Sequence, residues 1–153
     1  MEEAPKISEL TKLIRYFILK MTTEAGSGHP TSSLAAADLM VALYFGKLRF
    51  DLKDPNRPDN DRVIFSKGHA SPLVYALYAA AGEISEKELL TYRKFGSVLE
   101  GHPTPRFKFA EAATGSLGQG LSIGVGEALA LRQTFTGPVS SFPPVSAPQP
   151  FLV

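Results

Sequence analysis

Residues 113–132 read ATGSLGQGLSIGVGEALALR. Glycines 115, 118 and 120 make a turn, and an apolar repeat of helical spacing follows, so the stretch predicts a glycine turn opening a helix near Leu117 or Gly118. The glycine spacing is GxxGxG rather than GxGxxG, and no clear strand precedes it, which disfavours a Rossmann dinucleotide site. A helix start of this kind still offers unpaired N–H groups and a partial positive charge, both suited to a phosphate. Within the helix, Gly120, Gly124 and Ala128 recur every four residues as a smooth stripe, and Leu117, Leu121, Val125 and Leu129 line a neighbouring face. Mid-helix glycine costs about 1 kcal/mol against alanine, so Gly120, Gly124 and Gly126 each imply a contact that needs the missing side chain. Packing accounts for Gly124, whereas the turn 115–118 is placed to face a ligand.

Upstream, residues 7–24 form the clearest helix, with Leu10, Leu13, Ile14, Phe17, Ile18 and Met21 on one face, ended by Gly26 and Gly28. A second helix is expected from a cap at Ser32 or Ser33 to Gly46. Residues 51–61 form a polar loop with two prolines, and residues 62–66 read as a short buried strand entering a second glycine turn. Ser71 and Pro72 suit the start of a helix that stops at Gly82, and the Ser85–Glu88 spacing is a capping-box pattern ahead of Leu89 and Leu90. Residues 96–116 are loop. Four or five helices and one lone strand suggest an α/β design with a parallel sheet, most of which this chain lacks, as in the opening part of a larger domain.

Composition narrows the classes. The 153 residues are 44% hydrophobic and 20% charged, as in a soluble globular domain. A net charge of +1 gives no bulk field for nucleic acid or an anionic membrane, and the absence of cysteine excludes disulfide and thiolate chemistry. The acidic start MEEAPKISEL, with Arg15 and Lys20 breaking the apolar run behind it, fits neither a signal peptide nor a membrane span, so the default compartment is the cytoplasm. Residues 133–153 carry five of the 12 prolines and no charge, which predicts an unstructured tail after a domain of residues 1–132. That tail is either a natural flexible segment or one foreign to the domain.

The three histidines share one setting. His29, His69 and His102 each follow a glycine, two precede a proline, and all fall in loops between regular elements. Loops on a rigid scaffold are where binding and catalytic groups concentrate. Taken singly, each is most simply a solvated turn imidazole; the threefold repetition favours a shared site. A three-histidine metal site is the weaker reading, because no local ligand spacing such as HxH or HExxH occurs.

The segments AGSGHPTSSLAAADLMVALYF, DRVIFSKGHASPLVYALYAAAG, EGHPT and ATGSLGQGLSIGVGEALALR, in this order and at these separations, resemble the N-terminal region of transketolases, thiamine-diphosphate enzymes. The resemblance spans residues 7–132; related enzymes such as deoxyxylulose-phosphate synthase carry different glycine–histidine motifs and rank second. It implies that His69 contacts the cofactor diphosphate, that Gly115, Ser116 and Leu117 lie against the cofactor, and that His29 and His102 bind sugar hydroxyls and assist proton transfers. Ser116 replaces a proline, and Thr104 a glutamate, of many members. The implied reaction passes a two-carbon glycolaldehyde unit from a ketose phosphate to an aldose phosphate, within a homodimer, using thiamine diphosphate and Mg²⁺. After Arg132 the sequence departs from the family: no Gly-Asp-Gly metal motif occurs in it, so the resemblance assigns no metal ligand here and implies an incomplete site without turnover. A non-catalytic module docking on a longer subunit is the alternative.

Overall fold

The computed structural model describes residues 6–134. Its first helix, α1 (Ile7–Ala25), is amphipathic as its sequence dictates: Leu10, Ile14, Ile18 and Met21 are buried on one face. Thr11 and Thr22 on that face satisfy their hydroxyls by donating to the carbonyls of Ile7 and Ile18 one turn back. Gly26 ends the helix in the left-handed conformation at φ 56°.

The second helix is two helices, and it starts earlier than expected. Pro30 occupies the first helical position with His29 as N-cap, so α2 covers Pro30–Ala35; a break at Ala36 precedes α3, Ala37–Gly46. Proline pre-sets the helical φ and lacks an N–H that would need a partner, which moves the start ahead of the expected serine caps. Ser33 lies fully buried instead.

At the centre lies α4 (Ser71–Ala80), in which every residue is buried. A helix apolar on all sides must be covered on all sides, and α1, α2, α3 and α5 (Glu86–Leu89) surround it. Its cap is Ala70, not Ser71, and Pro72 stands second; the Ser71 hydroxyl is used elsewhere. Gly82, at φ 84°, follows as the expected stop, and Ser85 caps α5 by accepting from the Glu88 N–H at 3.2 Å. Aromatic rings fasten the loop after α5 to α4. Tyr78 stacks on Phe109 at 4.2 Å, and Phe107 meets Tyr75 and Tyr78 edge-on at 5.1 and 5.5 Å. Burial pushes the Tyr44 phenol, which packs on Tyr78, up to about 12.

The expected strand is the main correction. Residues 62–66 run extended, but the described residues contain no strand. A strand exists only with a ladder partner, and the bond that residue 65 receives comes from a side chain: the Thr114 hydroxyl donates to the Phe65 carbonyl at 2.7 Å. The described part is therefore helical, and the parallel sheet of the α/β expectation is not seen in it.

The last helix, α6 (Gln119–Thr134), begins two residues after the expected Leu117, and Gly118 takes φ 88°. It continues past Arg132; residues 135–153, most of the expected tail, lie outside the described residues. The glycine stripe packs as the spacing implies. A Cβ on Gly120 would sit 2.6 Å from Ser66 Cα, and one on Gly124 would touch Ile64 at 3.7 Å. Gly126 fails the expectation: nothing lies within 4 Å of its Cβ position, because two residues beyond Gly124 the helix has turned to its other side. Leu117, Leu121, Val125 and Leu129 are more than half exposed.

Candidate functional site

Three separate loops bring the histidines together. His29 caps α2 behind Gly28, whose φ of 119° only glycine adopts freely. His69 sits in a single 3-10 turn, Gly68–Ala70, that leads straight into α4. His102 lies on the loop fastened to α4. There Tyr75 donates its hydroxyl to the Glu100 carbonyl at 2.8 Å, and Ser71 donates to the Gly101 carbonyl at 2.8 Å. The His69 ring stands between the other two, 5.1 Å from His29 and 4.7 Å from His102, edge-to-face with both.

The glycine turn closes against this cluster. A Cβ on Gly68 would lie 2.3 Å from the Thr114 carbonyl oxygen and 2.9 Å from the Gly115 nitrogen, so the 3-10 turn and the turn before α6 touch backbone to backbone. Thr114 pins the contact with its hydroxyl on Phe65, and its N–H donates to the Pro103 carbonyl at 3.3 Å. The Cβ position of Gly115 is 3.4 Å from Cδ2 of His102. Of the six site residues expected from sequence, His29, His69, His102 and Gly115 are thus assembled. Ser116 and Leu117 continue the same turn with exposed side chains and are not packed on the imidazoles; the Ser116 carbonyl accepts the Gln119 N–H that opens α6.

Electrostatics favour neutral imidazole at one position. Burial, followed by the positive character of His69, Arg93 and His29, lowers the proton affinity of His102 below the ordinary 6.5. Nδ1 of His69 is buried with no hydrogen-bond partner, as is the Ser33 hydroxyl. An unpartnered buried ring nitrogen is costly unless a ligand uses it. Among the described residues no group of three histidine, cysteine or carboxylate side chains could hold a metal ion.

Sequence reasoning missed the supporting residues. Ser71 reads as a helix cap, yet its hydroxyl holds the His102 loop and lies 3.3 Å from the Tyr92 hydroxyl. Tyr75 falls inside the helix expected up to Gly82, and Thr114 inside the expected loop 96–116. What they share, a hydroxyl bonded to a carbonyl of another loop, is visible only once the loops are known to meet.

The chain has clear relatives. The family described as transketolase, thiamine diphosphate binding domain, matches residues 7–139. Human transketolase is 48% identical over 122 residues, which are 80% of this chain and 20% of that protein. The Rhodobacter capsulatus transketolase is 37% identical over 131 residues, 84% of this chain and 20% of that protein. The structure of transketolase from Leishmania mexicana superposes with a TM-score of 0.80 at 32% identity, over 84% of this chain and 19% of that one. A Pichia stipitis transketolase in complex with sedoheptulose 7-phosphate gives 0.81 at 35%, over 85% and 19%. The chain therefore spans a fifth of the length of the curated relatives it matches. Its glycine–histidine loops, the meeting of those loops around His69 and this run of matches have one meaning: the chain belongs to the transketolase family, in the part that forms the thiamine diphosphate-binding domain.

Proposed function

We propose that this chain supplies the histidine face of a thiamine-diphosphate site for two-carbon transfer between sugar phosphates. The observation that carries the reading is the meeting of three imidazoles beside Gly115 with the His69 ring nitrogen buried and unpartnered. The residues fit the cofactor's diphosphate. Gly68 lets the two turns meet backbone to backbone, Gly115 lets the second lie close to the His102 ring, and His69 has a nitrogen to give. In this reading His69, Gly115, Ser116 and Leu117 hold the cofactor, which supplies the electron sink for carbon–carbon bond cleavage when bound. His29 and His102 orient the sugar hydroxyls. A ring with lowered proton affinity, like His102, is neutral near pH 7 and can take a proton from a hydroxyl or donate an N–H to an oxyanion.

Mg²⁺ would accompany the diphosphate, but hard-cation ligands are not grouped among the described residues. In this reading the 153 residues, whose sequence holds no Gly-Asp-Gly motif, have no turnover alone, and a homodimer is the assembly that the family implies. The test is calorimetric titration of the chain with thiamine diphosphate, with and without Mg²⁺, beside the His69→Ala variant. Heat that saturates for the diphosphate, is lost in His69→Ala and is absent for unphosphorylated thiamine supports the assignment. Equal heats for both chains, or none for either, refute it.

A second reading, a non-catalytic module docking on a longer subunit, draws on the exposure of Leu121 (72%) and Leu129 (55%) along α6. Co-purification with a longer transketolase chain, abolished by Leu121→Ser, would favour it.

A further inference from the structure

We propose that Arg93 is a positioning residue of the imidazole cluster: its guanidinium, seated on Gly101, holds the His102 loop in place and opposes a positive charge on the His102 ring. The proposal rests on the reading of His102 as a group that handles protons at the ligand.

Arg93 stands in the left-handed region at φ 60°, alone among the described non-glycine residues. A long side chain rarely takes that conformation. It is held there because its N–H donates to the Leu99 carbonyl at 2.9 Å, closing the turn that leads toward His102. The consequence is a close approach. A Cβ on Gly101 would come within 3.0 Å of Nη1, 3.2 Å of Cζ and 3.5 Å of Nε of Arg93, so the guanidinium occupies the space a side chain would fill. The carbonyl of Gly101 is fixed by the Ser71 hydroxyl, and that hydroxyl lies against Tyr92, the neighbour of Arg93. Two consecutive residues thus hold the peptide that precedes His102, one directly and one through Ser71. The ring beyond it rests on His69 and on Gly115.

Charge points the same way. Among the described residues no carboxylate lies within ion-pair distance of the Arg93 guanidinium, so its charge is not cancelled locally. The charged and titratable groups that face His102 are His69 from the 3-10 turn, His29 from the start of α2 and Arg93 from the turn after α5. On its own loop the Glu100 carboxylate is engaged by the Thr104 hydroxyl and by Arg106. Residues 114–119 bring no ionisable side chain. Of the facing groups, arginine alone keeps its charge at every accessible pH.

The experiment follows the ring resonances of the three histidines by NMR through a pH titration of the 153-residue chain, in the native sequence and in Arg93→Gln, Arg93→Lys and Gly101→Ala. Arg93→Gln is expected to raise the His102 midpoint, and Arg93→Lys, which keeps the charge, to restore most of the native value. Gly101→Ala pushes the flexible fork outward without removing it and is expected to give a smaller rise; it serves as the test if Arg93→Gln does not fold. An unchanged midpoint in both Arg93→Gln and Gly101→Ala, or an equal rise in Arg93→Lys and Arg93→Gln, overturns the proposal. The titration needs no ligand, so its failure is separate from a failure of thiamine diphosphate to bind.

Discussion

Replacing Gly68 with alanine tests the contact on which the site depends. The new Cβ would stand 2.3 Å from the Thr114 carbonyl oxygen, 2.6 Å from its carbon and 2.9 Å from the Gly115 nitrogen. All three are backbone atoms, so no rotamer change relieves the clash; the turn before α6 must move away from the 3-10 turn that carries His69. Overpacking of this kind costs about 1–3 kcal/mol, and the upper end applies because the obstacle is main chain. Moving the turn also strains the bond from the Thr114 hydroxyl to Phe65. The matched control is Gly126→Ala, where nothing lies within 4 Å of the new atom and alanine gains about 1 kcal/mol of helix propensity. The two variants should therefore differ by roughly 4 kcal/mol, about three powers of ten in the unfolding constant. Urea unfolding followed by circular dichroism measures it. Gly68→Ala should also weaken thiamine diphosphate binding, whereas Gly126→Ala should not. A Gly68→Ala chain as stable as the native one, or a control equally damaged, would refute the backbone contact.

Other consequences can be read in the same way. Ser71→Ala leaves the Gly101 carbonyl without its buried donor and should cost about 1–3 kcal/mol in urea unfolding, with broadened His102 ring resonances as the local sign. Phe109→Ala removes the ring stacked on Tyr78 and should cost about 3–5 kcal/mol; its melting temperature should fall while the His29–His69 contact survives. The lowered proton affinity of His102 fixes a pH dependence. Below 6.5 the unfolded chain binds this proton before the folded one does, so stability is lost as pH falls from 6.5 through the folded midpoint. His102→Gln should flatten the slope of unfolding free energy against pH in that window, and an unchanged slope would assign it to other groups.

Local chemistry was legible where it is self-contained. The face of α1, the stop at Gly82 and the cap at Ser85 follow from side chains acting on their own backbone within one turn. Position 30 shows the limit: two serines resemble caps, but proline decides where the helix starts. The extended run 62–66 marks a deeper limit, because β-propensity describes a residue's fitness for a sheet whose other strands lie elsewhere in space. The histidines were conspicuous through their Gly-His settings, yet their meeting depends on α4, which anchors His69 at its start and the His102 loop through Ser71 and Tyr75. Nothing in the spacing of residues 29, 69 and 102 encodes that. Arg93 was invisible for the same reason, since its left-handed backbone arises from a hydrogen bond to Leu99 that closes only after the loop has folded.

The most direct measurement is the ring NMR spectrum of the three histidines, recorded as thiamine diphosphate is added. Nuclear Overhauser contacts are expected from the His69 ring to both His29 and His102, as their 5.1 and 4.7 Å separations require, with a common saturation point for the shifts of all three. Rings without mutual contacts, or a ligand that leaves His69 unshifted, would contradict it.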